Sequence, residues 1–302
     1  MDRPLANTPR VLLVDASIYF FRAYYVQQGE RFHPDGYEID GAYGFVSWLL
    51  RLLVELKPRY IACAFDESLG TCFRNDIYAG YKASRPLPDD NIKLQFALAM
   101  QACDALGIAN YASPRFEADD ILATLAFQAR QQGFVSSVIS GDKDLAQIVL
   151  AEGDNLWDYP KKEALDRQGI YQKYGVYPEQ FADWLALMGD KSDDVPGVPG
   201  VGAKTAAAML QQSGSVQALY NDLAVIEISE LRGAKKLAAK LAEYQALVAT
   251  SLQLTTTSCT AELELDWSCI EYNGTSDDGP TFLNSNGMGS LMFRYNALVN
   301  PS

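Results

Sequence analysis

Three short apolar runs punctuate the first half of the chain: Val11-Leu12-Leu13-Val14, Tyr60-Ile61-Ala62-Cys63-Ala64-Phe65 and Val135-Ser136-Ser137-Val138-Ile139. They are short and largely continuous rather than alternating, the pattern of strands covered on both faces. Between and after them, Ala42 to Leu56, Ile92 to Leu106 and Ala118 to Gln132 carry broad apolar stripes at helical spacing. Strands that alternate with helices predict a doubly wound α/β domain with a mostly parallel sheet. After Pro178 the pattern changes. Phe181 to Met188 reads as a helix, Pro196-Gly197-Val198-Pro199-Gly200-Val201-Gly202 cannot continue it, and helix resumes from Lys204. From about Asp266 the periodicity fades, and the polar, Gly-rich stretch Asn284 to Ser290 predicts a weakly structured tail. The expected organisation is an α/β core over 1–180, a helical region over 181–265 and a tail over 266–302, without an internal repeat.

Acidic residues stand where the pattern says they matter. Each strand run is followed closely by carboxylates: Asp15, Asp66, and Asp142 with Asp144 after a Ser-Gly turn. In a parallel sheet, ligands bind outside the carboxyl ends of the strands. One Asp after a strand commonly caps the next helix; all of them together on one edge suggest a site. Glu117-Ala118-Asp119-Asp120 opens the third helix, with Glu117 and Asp120 on a shared face if the turn is helical. Asp190, Asp193 and Asp194 end the Phe181 helix, where the helix dipole disfavours acids. If these groups converge, their repulsion calls for cations at the centre. Oxygen-only ligands favour a hard ion, Mg²⁺ or Mn²⁺. A pair of such ions can activate water and stabilise the leaving oxygen of a phosphodiester.

Composition narrows the alternatives. The chain has 302 residues, enough for one large domain or one plus a smaller appendage, and its formal net charge is −13. An acidic balance is unusual for a nucleic-acid partner, but net charge does not report distribution. No apolar run reaches membrane-span length and no signal-peptide pattern opens the chain, which predicts a cytoplasmic protein. The five cysteines, Cys63, Cys72, Cys103, Cys259 and Cys269, lack metal-type spacing. His33 is the single histidine and reads as a surface loop residue, so Ser/His/Asp and Cys/His chemistry has no support. Gly197 and Gly202 have Walker spacing, yet Ala203 stands where the P-loop requires lysine and no strand precedes the turn. Asn273-Gly274-Thr275 is a formal glycosylation acceptor that signifies nothing without secretion.

The motifs then resemble a family. Leu13-Val14-Asp15, Phe73-Arg74 with Tyr81-Lys82, Glu117-Ala118-Asp119-Asp120, Ser140-Gly141-Asp142-Lys143-Asp144 and Gly189-Asp190-Lys191-Ser192-Asp193 occur in one order. Val195 to Gly202 with Lys204-Thr205, and Arg232-Gly233-Ala234-Lys235, follow. Over roughly residues 10 to 265 the chain resembles the bacterial 5′-3′ exonuclease and flap endonuclease family, including the 5′-nuclease domain of DNA polymerase I. The resemblance implies a PIN-like core with a helix-two-turn-helix element, cutting flaps, nicks or 5′ ends of DNA with Mg²⁺ or Mn²⁺. RNA–DNA primer junctions are further expected substrates, and the expected state is a monomer.

Residue by residue, the resemblance implies one metal group of Asp15, Asp66, Glu117, Asp119 and Asp120, completed or bridged by Asp142. It implies a second group of Asp144, Asp190 and Asp193. Asp194 departs from the Asn of the polymerase-type pattern and is expected to face solvent. Phe73, Arg74, Tyr78, Tyr81, Lys82 and Arg85 interleave rings with positive charge, which suits single-stranded backbone. By resemblance this segment, near 71–90, forms an arch in which Lys82 and Arg85 act catalytically by neutralising the scissile phosphate. Arg22, Arg74 and Tyr81 are expected DNA contacts. In the Gly/Pro turn, Gly197, Gly200 and Gly202 would let phosphates approach free N–H groups, with Lys204 and Lys235 extending the track. By the same resemblance, the turn would hold a K⁺ ion through backbone carbonyls, at Val198 and Val201. Two other functions compete: a structure-specific DNA-binding protein without catalysis, and a related metal-dependent ribonuclease.

Overall fold

The computed structural model describes residues 8–26, 29–229, 231, 233–261 and 267–300. Six strands form one sheet: β1 (Arg10–Asp15), β2 (Ile61–Asp66), β3 (Ala109–Ser113), β4 (Val135–Ile139), β5 (Asn155–Asp158) and β6 (Glu163–Leu165). Their order is β3-β2-β1-β4-β5-β6, parallel throughout except for β6, which runs antiparallel to β5. Central β1 aligns Leu13 with Ala62 of β2 and with Val138 of β4. Val11 and Leu13 enter one hydrophobic cluster, Leu12 and Val14 the other. Burial on both faces is why the run needed no polar alternation.

Helices α1 (Ala16–Val26), α2 (Asp40–Leu56) and, after the short α3 (Phe73–Ile77), α4 (Asp90–Ala105) cover one face. Helix α5 (Ala118–Gln131) covers the other, joined by α6 (Arg167–Tyr174) and α7 (Phe181–Met188). The helical region continues through α8 (Ala203–Ser213), α9 (Val216–Asn221), α10 (Ala224–Glu227), α11 (Ala234–Glu243) and α12 (Gln245–Thr255). Trp184, Leu210, Leu241 and Val248 belong to the same cluster as the α5 side of the sheet, so the helical region and the sheet share one core. That shared core holds the two parts in a fixed relation.

Strands β3, β5 and β6 were not legible in the sequence. β3 reads Ala-Asn-Tyr-Ala-Ser and is mostly half-buried, so it lacks the apolar run that marks the inner strands. The tail needs a correction. It was expected to be weakly structured, yet α13 (Trp267–Ile270), α14 (Gly279–Ser285) and α15 (Met292–Val299) are formed. Leu283, Met288, Leu291 and Tyr295 are buried in the cluster that contains α2 and α4. Burial of such side chains contributes roughly 1.5–3 kcal/mol each, enough to hold a short segment. The anchors are spaced within polar sequence, and Gly287 at φ 73° lies close against the Phe32 carbonyl, where a side chain would not fit.

Between β1 and β4 the chain changes the side on which it crosses. This is the topological switch point, with a crevice outside the carboxyl ends of the strands. Asp15 ends β1, Asp66 ends β2, and the Ser140-Gly141-Asp142 turn leaves β4 beside them.

Candidate active site

The first acid group lines a cavity of about 460 Å³, among whose walls are Asp15, Asp66, Glu117, Asp119, Asp142 and Asp193, with Lys82 and Arg85 facing them. Asp15 is buried and accepts the Ser140 hydroxyl at 2.7 Å and the Ile18 N–H at 3.2 Å. Burial pushes its carboxyl up to about 6, and Asp142 and Asp66 push the same way. Asp66 accepts the Ser68 N–H and hydroxyl at 3.1 and 2.9 Å, while its own N–H donates to Ser17 Oγ at 2.7 Å. Burial, then Asp142 and Asp15, raise Asp119 well above the usual carboxylate range. The Ser140 hydroxyl oxygen also accepts the Asp142 N–H at 3.0 Å, so one buried serine orients two acids. Ser17, Ser68 and Ser140 were missed from sequence; the Ser-Gly-Asp turn was the available signal.

The second group lies in an adjoining small pocket of about 20 Å³, lined by Glu117, Asp119, Asp144, Asp190 and Asp193. Glu117, Asp119 and Asp193 therefore border both spaces. Burial and Asp142 push the Asp144 carboxyl up to about 7. Asp190 goes the other way. Its burial is more than offset by Lys143, which donates to it at 2.7 Å, and by Ser192. Lys143 also donates to Asp144 at 2.9 Å. Burial likewise raises Asp193, against the pull of Lys82 and Arg85. The oxygen-only donors and the raised carboxyls fit a hard divalent cation, whose charge would relieve the repulsion. As the side chains stand, no three acidic, His or Cys side chains among the described residues are gathered at ligating distance. Lysines and arginines balance the charge instead: Lys82 on Glu117, Arg85 Nη2 on Asp193 at 2.5 Å and Lys143 on Asp190.

Lys82 is held in the left-handed region at φ 51°, a conformation that costs a lysine energy, and its ammonium is nearly enclosed. Its N–H donates to the Asp193 carbonyl at 3.0 Å, fixing the foot of the arch segment to the Asp190 loop. Asp194, at φ 55°, faces solvent as expected, and from there its carboxylate accepts the Ser84 N–H at 2.8 Å and helps close the same joint. The arch segment contains the short α3 and then turns, not one continuous helix.

Three expected roles change here. Arg74 is buried, and its guanidinium donates to Asp120, Glu117 and the carbonyls of Leu254 and Thr256. It is not placed to meet a phosphate. Asp120 is fully buried, and its two oxygens accept from Arg74 and from the N–H groups of Glu117 and Ser258 rather than facing the cavity with the other acids. Tyr81 is buried too, donating to Glu117 at 2.7 Å, instead of presenting a stacking face. The sequence could not reveal this, because the partners of Arg74 at Leu254, Thr256 and Ser258 lie far along the chain.

Arg22 lies beside the turn that carries Asp142 and is not among the residues that line the acidic cavity. It stacks near Tyr19, pairs with Asp158 at 3.7 Å, and lies where a side chain at Gly141 would be, beside Asp142. In the Gly/Pro turn, Gly197 serves packing: a Cβ there would meet Met188 and Gly189 backbone within 2.4 Å, so it is not an open phosphate seat. Gly200, at φ 82°, and Gly202 are exposed, and nothing lies within 4 Å of a Cβ at Gly202. Lys204 and Lys235 are exposed in the first turns of α8 and α11. Gly-Ala-Lys thus opens both helices, a repeated signal the sequence reading passed over. Arg232 lies outside the described residues. Val198 and Val201 are buried side chains, and the Val198 carbonyl accepts the Val201 N–H at 2.9 Å. Between them, the Pro199 carbonyl accepts Lys240 Nζ at 2.8 Å.

The site is a crevice at the switch point of a doubly wound sheet, where carboxylates face lysine and arginine side chains. Residues 10–175 match the N-terminal resolvase-like domain of 5′-3′ exonucleases, and 176–278 match their C-terminal SAM fold. The chain belongs to the 5′-3′ exonuclease family, whose members are hydrolases. A 5′-3′ exonuclease of Buchnera aphidicola subsp. Schizaphis graminum is 32% identical over 91% of this chain and 92% of its own length. DNA polymerase I of Mycobacterium leprae is 41% identical over 71% of this chain but only 24% of its own length. The chain thus spans about a quarter of the polymerase relatives it matches. Among solved structures, the bacteriophage T5 D15 protein co-crystallised with metal ions superposes with TM-score 0.67 at 18% identity, over 96% of this chain and 98% of that one. The catalytic core of Rad2 in complex with DNA substrate superposes with TM-score 0.62 at 13% identity, over 99% and 94%. These two share the fold. No helix among the described residues is long and apolar enough to cross a membrane.

Proposed function

We propose that the chain is a structure-specific 5′ nuclease that hydrolyses DNA phosphodiesters at flaps, nicks and 5′ ends, in replication and repair. The observation that carries this is the cavity at the switch point, where Asp15, Asp66, Glu117, Asp119 and Asp142 face Lys82 and Arg85. In this reading those acids, with Asp144, Asp190 and Asp193, hold Mg²⁺ or Mn²⁺ ions. When bound, the ions supply a nucleophilic water and charge stabilisation for the leaving oxygen.

The chain's own groups do the rest. Lys82 and Arg85 exchange their carboxylate partners for the scissile phosphate and neutralise it. Arg22 adds a third positive charge beside Asp142. Gly200, Gly202, Lys204 and Lys235 grip the duplex backbone without reading sequence, so affinity falls steeply with salt. The carbonyls of Val198 and Val201 would hold K⁺, supported by the neighbouring Pro199 carbonyl, which already draws a lysine ammonium. Primer-derived RNA–DNA junctions are substrates, and the working state is a monomer in the cytoplasm.

Matched DNA and RNA flaps, 5′-labelled, are incubated with Mg²⁺, with Mn²⁺ or with chelator. Metal-dependent cutting of the DNA flap near its junction is expected. A clear preference for RNA would make the protein a ribonuclease, and binding without cutting in either metal would make it a recognition module.

A further inference from the structure

Arg74 carries five N–H donors, and each is taken. Nε donates to the Leu254 carbonyl at 2.7 Å. Nη1 donates to Glu117 Oε2 at 3.1 Å and Asp120 Oδ2 at 2.7 Å, and Nη2 to Asp120 Oδ1 at 2.8 Å and the Thr256 carbonyl at 2.9 Å. Asp120 is equally full. Its remaining lone pairs accept the Glu117 N–H at 3.0 Å and the Ser258 N–H at 2.7 Å. A carboxylate offers about four lone-pair sites, so none is left for a metal. The pair closes a knot of three segments: α3 at the foot of the arch, the start of α5 that carries Glu117 and Asp119, and the end of α12.

Helix α12 is in turn fastened to the Gly/Pro turn. Ser251 Oγ donates to the Pro196 carbonyl of the turn at 2.6 Å, while Thr255 Oγ1 donates to the Ala182 carbonyl of α7, the helix that leads into it, at 2.9 Å. Arg74 thus ties the end of α12, which braces that turn, to Glu117 and Asp120 at the start of α5, beside the direct Asp190–Val195 pairing that joins the turn to the second acid group. We propose that Arg74 and Asp120 are positioning residues whose strut sets the distance from the Gly/Pro turn to the cleft, and so selects which phosphodiester is cut. The inference rests on the nuclease reading above. If the strut loosens, the duplex still binds the turn, but the strand enters the cleft at several positions. A misplacement of about 1 Å costs on the order of 100-fold in rate.

The test uses the full chain with Asp120→Asn, Arg74→Lys and Arg74→Gln. Single-turnover cleavage of a 5′-labelled flap is read at one-nucleotide resolution, beside flap affinity and Mn²⁺ binding by calorimetry. Asp120→Asn should bind Mn²⁺ with unchanged stoichiometry and affinity. It should cut roughly 10–100-fold more slowly, with flap affinity kept, and spread its products over neighbouring phosphodiesters. Arg74→Lys should restore part of the single cut that Arg74→Gln loses. Loss of a bound Mn²⁺ from Asp120→Asn would make Asp120 a ligand and overturn the strut. Slower cutting at the unaltered position in every folded variant would overturn it as well. If the unsubstituted chain binds Mn²⁺ but cuts no flap, the nuclease reading fails and the register claim with it; the Mn²⁺ comparison still decides the role of Asp120.

Discussion

Gly197→Ala and Gly202→Ala make the same chemical change five positions apart in one turn, and the structure predicts opposite outcomes. A Cβ at Gly197 would stand 2.2 Å from the Met188 carbonyl carbon and 2.3 Å from the Gly189 nitrogen. Carbon contacts settle at about 3.5–4.0 Å, so the backbones must part by more than 1 Å. Backbone cannot turn aside as a side chain can. Overpacking of this kind costs about 1–3 kcal/mol, and the upper end applies because the rigid end of α7 is the obstacle. At about 2–4 °C per kcal/mol, the melting temperature should fall by roughly 6–12 °C. Gly189 precedes Asp190, whose N–H pairs with the Val195 carbonyl at 3.0 Å, so cutting should fail alongside. At Gly202, φ is −111° and nothing lies within 4 Å. Replacing an N-cap glycine and stiffening the unfolded chain nearly cancel, leaving about 0.5 kcal/mol or less. Thermal unfolding followed by circular dichroism measures both variants. Equal shifts, or a stable Gly197→Ala, would refute the close packing of the turn on α7.

Other outcomes follow from the same geometry. Lys82→Ala removes the cation facing Glu117 and Asp193 and should lower the single-turnover rate by about 100-fold while flap binding weakens little; a kcat near that of the unsubstituted chain would contradict the assigned role. Asp15 and Asp144 carry carboxyls raised to about 6 and about 7, above their unfolded values. Their contribution to stability is therefore present at low pH and lost as pH rises through 6 to 7, so the metal-free protein should melt lower at pH 8 than at pH 5.5. Added Mg²⁺ should raise the melting temperature more at pH 8, and an equal gain at both would count against metal binding by these acids. Met288→Ala, in the buried tail, should destabilise by about 2–4 kcal/mol in urea titration; an effect under 0.5 would mean the tail is not packed.

The sequence disclosed most of what burial and local order dictate. β1, β2 and β4 were legible because both faces are buried, and Asp15, Asp66 and Asp142 because their strands deliver them to one edge. Half-buried β3 and the tail were not, since their few anchors stand among polar residues. Within the site, residue types were readable but pairings were not. Arg74 and Tyr81 look like surface cation and ring until their partners are placed, and the partners of Arg74 come from α5 and from the end of α12. Gly197 looked like a phosphate seat because a glycine required for packing and one required for access are the same letter.

The central claim is that the switch-point acids hold metal to cut DNA. It is tested most directly by measuring 5′-flap cleavage and bound Mn²⁺ together, in the unsubstituted chain and in Asp142→Ala. Two bound ions and junction cutting, with both metal occupancy and cutting reduced in the variant, are predicted. Full Mn²⁺ binding and unchanged cutting by Asp142→Ala would contradict the account.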